Sequence, residues 1–194
     1  MQFPLQIRAK FFSYTPQILV EDAGGATVFF LRQRLLKLKE AVKVFQDSEM
    51  SRLCYEINAD RVIDFSARYL FSSEGQEPFG SVKREGMPSF FRATYDIYDG
   101  EQVVMTIREE SVSKRFLETM FGAIPFVGYL VVYLLNPTYL VKNANGQTIY
   151  KLIKKPSFLE RRFTIERLHE VSDEKERTAL LSMLMVCLLE RKRG

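Results

Sequence analysis

The chain has 194 residues, 46% of them hydrophobic and 27% charged, a length and balance that fit one globular domain and exclude a long disordered tract. A formal net charge of +4 admits anionic partners without requiring one. Two cysteines and one histidine are too few for a disulfide scaffold or a zinc cluster.

The first ten residues lack the basic stretch and apolar run of a signal peptide, so a cytoplasmic location is expected. From residue 18 onward, short β-rich runs alternate with Asp, Asn and Gly. Residues 18–25 lead into 27–31, 42–48 into 52–57, 69–75 into 80–84, 95–100 into 103–108 and 139–146 into 148–153. Each pair predicts a β-hairpin, because its turn residues tolerate positive φ. With further runs at 62–65 and 162–166, the chain carries on the order of ten to twelve strands and no linker, so 1–194 reads as one domain.

Two stretches do not fit that rhythm cleanly. Leu31, Leu35, Leu38 and Val42 have helical spacing, yet Leu36 and Leu38 alternate with lysines as a strand would; strand is the favoured reading. Residues 119–141 carry no charge, but Gly122, Pro125 and Gly128 interrupt them and Pro137 ends any helix. The continuous helical part, 126–135, measures only about 15 Å. A helical excursion near 112–135, packed on the domain, is expected, with insertion into one membrane leaflet as the next reading.

The C-terminal stretch is the most informative. Asp173 is the expected N-cap, with Glu176 at capping-box spacing, and Arg191, Lys192 and Arg193 suit the negative end of the helix dipole. Between 179 and 189 only Ser182 is polar, so no face of the helix suits water. At about 16 Å it is too short to cross a bilayer. Protein must enclose it.

Chemistry-bearing motifs are missing. His169 reads as a solvated loop residue, and no nucleophile motif accompanies it. The loops at Asp22, Asp99 and Asn143 lack the spaced oxygen ligands of a calcium site and read as hairpin turns. Glu109 and Glu110 are adjacent and would point to opposite faces of a strand. Cys54 and Cys187 read as small apolar side chains in a reducing compartment. No catalytic residue, metal ligand or cofactor is therefore predicted. What remains are basic side chains near strand ends: Lys83, Arg84, Arg92, Lys151, Lys154, Lys155, Arg161 and Arg162 are the candidate contacts for lipid phosphates. A solvated rim partly neutralised by Glu85, Glu109, Glu110, Glu118 and Glu160 is the plainer account of the same residues. Phe121, Ile124, Phe126, Tyr129, Val131 and Tyr133 are the candidate membrane or partner contacts.

Several segments, in this order along the chain, carry a resemblance: Arg32 to Lys39 before Val42 to Asp47, Phe79 to Arg84, Ser89 to Ile97, Asn136 to Leu140, and Leu188 to Gly194. With them the chain resembles the LURP-one-related family of the tubby C-terminal-like superfamily, which includes phospholipid scramblases. The resemblance implies a closed, mainly antiparallel β-barrel of about twelve strands around the hydrophobic C-terminal helix. Tubby-like domains bind phosphoinositides through a Lys/Arg pair that has no aligned counterpart here, so no residue is carried over. The expected function is a non-catalytic barrel that binds lipid or a membrane surface, cytoplasmic and peripheral at the membrane. The alternative is a structural or protein-interaction module docking a partner on 119–135; a nucleic-acid-binding barrel comes third.

Overall fold

Alternation of buried and more exposed side chains, the signature of a strand with one dry face, marks several of the chain's strands, most plainly Leu5–Lys10, Gln17–Glu21 and Thr94–Asp99. A computed structural model describes residues 1–10, 17–32, 42–61, 67–85, 94–110, 137–157 and 160–189. Its strands are β1 (Leu5–Lys10), β2 (Gln17–Glu21), β3 (Thr27–Arg32), β4 (Val42–Phe45), β5 (Leu53–Ala59) and β6 (Arg68–Ser72). They continue with β7 (Gly80–Glu85), β8 (Thr94–Asp99), β9 (Gln102–Glu109), β10 (Thr138–Asn143), β11 (Thr148–Lys155) and β12 (Arg161–Arg167), followed by the helix α1 (Asp173–Leu189). Each strand pairs antiparallel with its sequence neighbours, and β1 pairs with β12 to close the barrel. Closure leaves no unpaired sheet edge.

All five predicted hairpins form. Two of their turns share one device. Asp22 Oδ1 accepts from the amides of Gly24 (3.0 Å) and Ala26 (3.1 Å), and Asn143 Oδ1 accepts from those of Asn145 and Gln147, both at 3.0 Å. Gly25 (φ 82°) and Gly146 (φ 79°) take the left-handed position in each. Strand β1 is an addition to the sequence reading: Leu5, Ile7 and Ala9 alternate inward, but no turn signal marks the run. The strand expected at 62–65, the ambiguous stretch at 33–41 and the excursion near 112–135 lie outside the described residues.

At a strand spacing of about 4.8 Å and a tilt of about 35–45°, twelve strands close at a radius of roughly 11–13 Å. A helix with its side chains occupies about 5–6 Å of that radius. The remainder accommodates one layer of inward side chains. α1 fills the lumen, and every residue from Thr178 to Leu188 is buried. Ser182, the polar exception, donates to the Thr178 carbonyl at 2.7 Å, so its hydroxyl is satisfied within the helix. The helix is about 25 Å long, enough to cross the barrel.

The capping box is not formed. The Ser172 carbonyl accepts the first helical bond, from the Glu176 amide at 2.9 Å, which places the cap one residue before Asp173. The Glu176 carboxylate turns to the wall instead, where Oε2 accepts from Tyr150 Oη (2.9 Å) and Arg167 Nη1 (3.0 Å). Burial first, then the hydrogen bond and charge of Glu176, raise the Tyr150 hydroxyl well above its ordinary range. The folded state therefore holds the phenol proton more tightly than the unfolded chain. This contribution is present below about pH 10 and is lost as pH rises beyond it. Tyr150→Phe should cost about 1.5 kcal/mol at neutral pH. Urea unfolding above pH ~10 should show a smaller further loss for the variant than for the parent chain.

Helix and wall come close together at Gly80 of β7. A Cβ there would lie 2.8 Å from Thr178 Cγ2 and 3.3 Å from the Tyr98 carbonyl oxygen. Thr178 is buried and its hydroxyl donates to the Glu174 carbonyl, so it has little room to yield. Gly80→Ala should lower stability by about 1–3 kcal/mol in a denaturant melt.

Candidate functional site

The barrel has two unlike rims. At the entry rim, where α1 begins, the five hairpin turns gather: 22–26, 46–52, 73–79, 100–101 and 144–147. At the exit rim α1 ends, and the strands give way to the remaining connections, including the one between Glu109 and Thr138.

The strand registers place cations side by side on the outer surface at the exit rim. Lys155 lies opposite Arg162, and Arg162 opposite Arg8 across the barrel closure. One step nearer the rim, Lys10 faces Gln17, Gln17 faces Arg32 and Arg32 faces Lys43. Lys155, Arg162, Arg8, Lys10, Arg32 and Lys43 are all exposed, forming a band that spans β11 to β4 through the closure. Like charges directly opposite one another on a sheet are destabilising. Three of the six are compensated: Arg162 by Glu160 (2.6 Å), Arg8 by Glu21 (3.5 Å) and Lys43 by Glu56 (3.7 Å). Lys10, Arg32 and Lys155 make no ion pair among the described residues.

The entry rim carries the opposite sign. Asp22, Asp47, Glu49, Glu74, Glu77, Asp99, Glu101 and Glu174 are among its carboxylates, against Arg52, Lys142, Arg167, Lys175 and Arg177. Backbone amides, chiefly that of Ala26, hold the Asp22 carboxyl below its ordinary range, and the Ser51 hydroxyl and amide do the same for Asp47. The bonds that shape these turns thus also keep their charge in place.

The residues singled out from sequence fall into separate environments. Strand alternation sends the two members of each dibasic pair to opposite faces. Arg84, opposite Tyr95, points inward with the core and is buried, while Lys83 points out and pairs with Glu85 at 3.2 Å. Lys154 shares the inward face with Phe163, and Arg161 with Ala9, leaving Lys155 and Arg162 outside. Arg84, Lys154 and Arg161 are each held by an interaction within the protein. Lys151 is on the outer face opposite Glu166. Arg92 and the six apolar candidates, Phe121, Ile124, Phe126, Tyr129, Val131 and Tyr133, lie outside the described residues. Of the predicted set, Lys155 and Arg162 thus belong to the exit-rim band. Arg8, Lys10, Arg32 and Lys43 join them, and sequence reasoning missed all four. Arg8 and Lys10 had a local signal, alternation with Ile7 and Ala9; their meeting with Arg162 depends on the β1–β12 closure.

Among the described residues no group of three or more His, Cys, Asp or Glu is arranged to hold a metal ion, and no helix is long and apolar enough to cross a membrane. His169 is exposed between β12 and α1. Cys187 is buried in the helix and Cys54 partly buried in β5.

No curated protein and no solved structure matches the chain. A model of the LURP-one-related family matches residues 4–123, which take in β1 to β9 and therefore the β1–β4 part of the basic band. With most of its length under that match and a helix-filled barrel as its fold, the chain belongs to the LURP-one-related family.

Proposed function

We propose that this protein is a non-catalytic module that docks on anionic lipid surfaces with the exit rim of its barrel, as a peripheral protein of the cytoplasmic leaflet. One observation carries the reading: charge is unevenly distributed along the barrel axis, with exposed cations prevailing at the exit rim and carboxylates at the entry rim. A molecule with that polarity is turned by a negative surface potential so that its basic end meets the membrane.

The sequences that attach at the exit rim supply the second signal that reversible membrane binding needs. Nine of the chain's 16 phenylalanines fall in them: Phe11, Phe12, Phe65, Phe90, Phe91, Phe116, Phe121, Phe126 and Phe158. Further cations, among them Arg34, Lys37, Lys39, Lys114 and Arg115, fall there too. The chain leaves α1 at this same rim, and Arg191, Lys192 and Arg193 follow in sequence. Each basic side chain near an anionic surface contributes about 1 kcal/mol at moderate salt. Lys10, Arg32 and Lys155 alone thus account for roughly two orders of magnitude in affinity.

The test is co-sedimentation with vesicles of phosphatidylcholine alone and of phosphatidylcholine with phosphatidylserine. The protein should pellet with the mixed vesicles at low salt and be partly released as salt rises. Failure to bind either vesicle at low salt overturns the reading and leaves docking of a protein partner as the surviving account.

A further inference from the structure

At the entry rim a cleft of about 310 Å³ opens between the first turns of α1 and the β8–β9 hairpin. Val104, Met105 and Phe79 give it an apolar side, and Met105 belongs to the barrel core. Lys175, Arg177 and Thr178 line the helix side, with Asp99 and Glu174 completing the wall.

Arg177 is the unusual member. Its guanidinium carbon sits over the Phe79 ring, 3.9 Å from the ring centroid, and its Nε is buried without a hydrogen-bond partner. Among the described residues no carboxylate and no carbonyl engages this side chain; stacking alone holds it. A buried polar group left unsatisfied costs free energy, and an arginine fixed by stacking has its donors pre-organised for a planar, two-pronged acceptor. Other stacked arginines of the barrel have carboxylate partners, as Arg68 has Glu101 at 2.6 Å and Arg167 has Glu176 at 3.0 Å.

We infer that this cleft is a binding site for a small amphiphilic carboxylate, whose head accepts hydrogen bonds from Arg177 and whose short apolar tail lies along Phe79, Val104 and Met105. The volume is at the small end of the range for ligand pockets, about 300–1,000 Å³, which suits a medium-chain acid and excludes a diacyl lipid. Asp99 and Glu174 on the same wall oppose a doubly charged phosphate ester, so the head is a monoanion. The positive end of α1 adds to the preference for an anion over an amine. The site lies at the opposite end of the barrel from the basic band and is independent of the membrane reading.

Titration calorimetry of the whole chain with octanoate, octyl phosphate, octanol and octylamine tests the assignment. Octanoate should bind saturably, at least tenfold more tightly than octanol or octyl phosphate, and octylamine should not bind. Arg177→Gln should weaken octanoate at least tenfold, and Val104→Phe, which fills the cleft, should do the same, while vesicle binding by both variants stays unchanged. A complementary readout on the unmutated protein is a shift of the Arg177 Nε–H and Met105 methyl resonances on adding octanoate. Absence of saturable binding below about 5 mM overturns the inference, as does equal affinity for octanol or no resonance shift.

Discussion

Deleting residues 173–194 is expected to abolish folding: the truncated chain should be insoluble, or soluble without a cooperative melt. Seven apolar side chains of α1, namely Leu180, Leu181, Met183, Leu184, Met185, Val186 and Leu188, are buried inside the barrel. At about 1.5–3 kcal/mol each, their burial is worth roughly 10–20 kcal/mol, as much as the whole net stability of a typical domain. The loss is compounded because the wall presents its own apolar layer to the helix. Without α1, Leu5, Phe71, Tyr95, Ile107, Tyr139 and Leu152 would line a water-filled lumen. Leu184→Asp should be nearly as severe, since Leu184 is 1% exposed and a carboxylate there would have to enter the core uncharged or unpaired. Leu184→Met, which conserves volume, should cost less than about 1.5 kcal/mol. Circular dichroism melts of the three proteins decide the matter. A truncated protein that stays monomeric and unfolds cooperatively would show that the barrel does not depend on its helix.

Which features can be read from sequence follows from how local they are. The hairpins between β2 and β3 and between β10 and β11 were legible because Asp22 and Asn143 make their turn with residues no more than four positions away. The burial of α1 was legible because a helix without a polar face has no alternative to enclosure. Strand β1 was not. Its three inward residues are ordinary, and its role in closing the barrel is defined by pairing with Phe163 and Ile165, more than 150 positions later. The cap was misplaced because Glu176 has a better use than capping: it takes two donors from the wall, one of them buried Tyr150. The basic band was half-legible for a reason of phase. Lys83 and Arg84, Lys154 and Lys155, and Arg161 and Arg162 each read as one dibasic cluster, yet on a strand neighbours face opposite ways. Which member faces out is fixed by register with Tyr95, Phe163 and Ala9, that is, by long-range pairing.

Reversing the three uncompensated cations of the exit rim, in the triple variant Lys10→Glu, Arg32→Glu and Lys155→Glu, is expected to remove most of the salt-sensitive vesicle binding, on the order of a hundredfold or more. Folding should survive, and the reason lies in the register. Arg32 faces Lys43 and Lys155 faces Arg162, so these two reversals each replace a like-charge pair by an opposite-charge pair, while Lys10 faces the neutral Gln17. Such exchanges contribute roughly 0.2–1 kcal/mol of stability apiece. The variant should therefore melt no lower than the parent chain while binding anionic vesicles far more weakly, a combination that misfolding cannot produce. Net charge is the remaining alternative cause, because the triple reversal also makes the whole molecule acidic. Adding Glu49→Lys, Glu74→Lys and Glu77→Lys at the entry rim restores the original net charge without restoring the basic band. If position governs binding, the six-residue variant should remain as poor a binder as the triple one, because the restored cations stand at the wrong end of the barrel, more than a Debye length (about 10 Å at 0.1 M salt) from a membrane held at the exit rim. Recovery of parental sedimentation in that variant would sink the oriented-docking reading and reduce the interaction to overall charge.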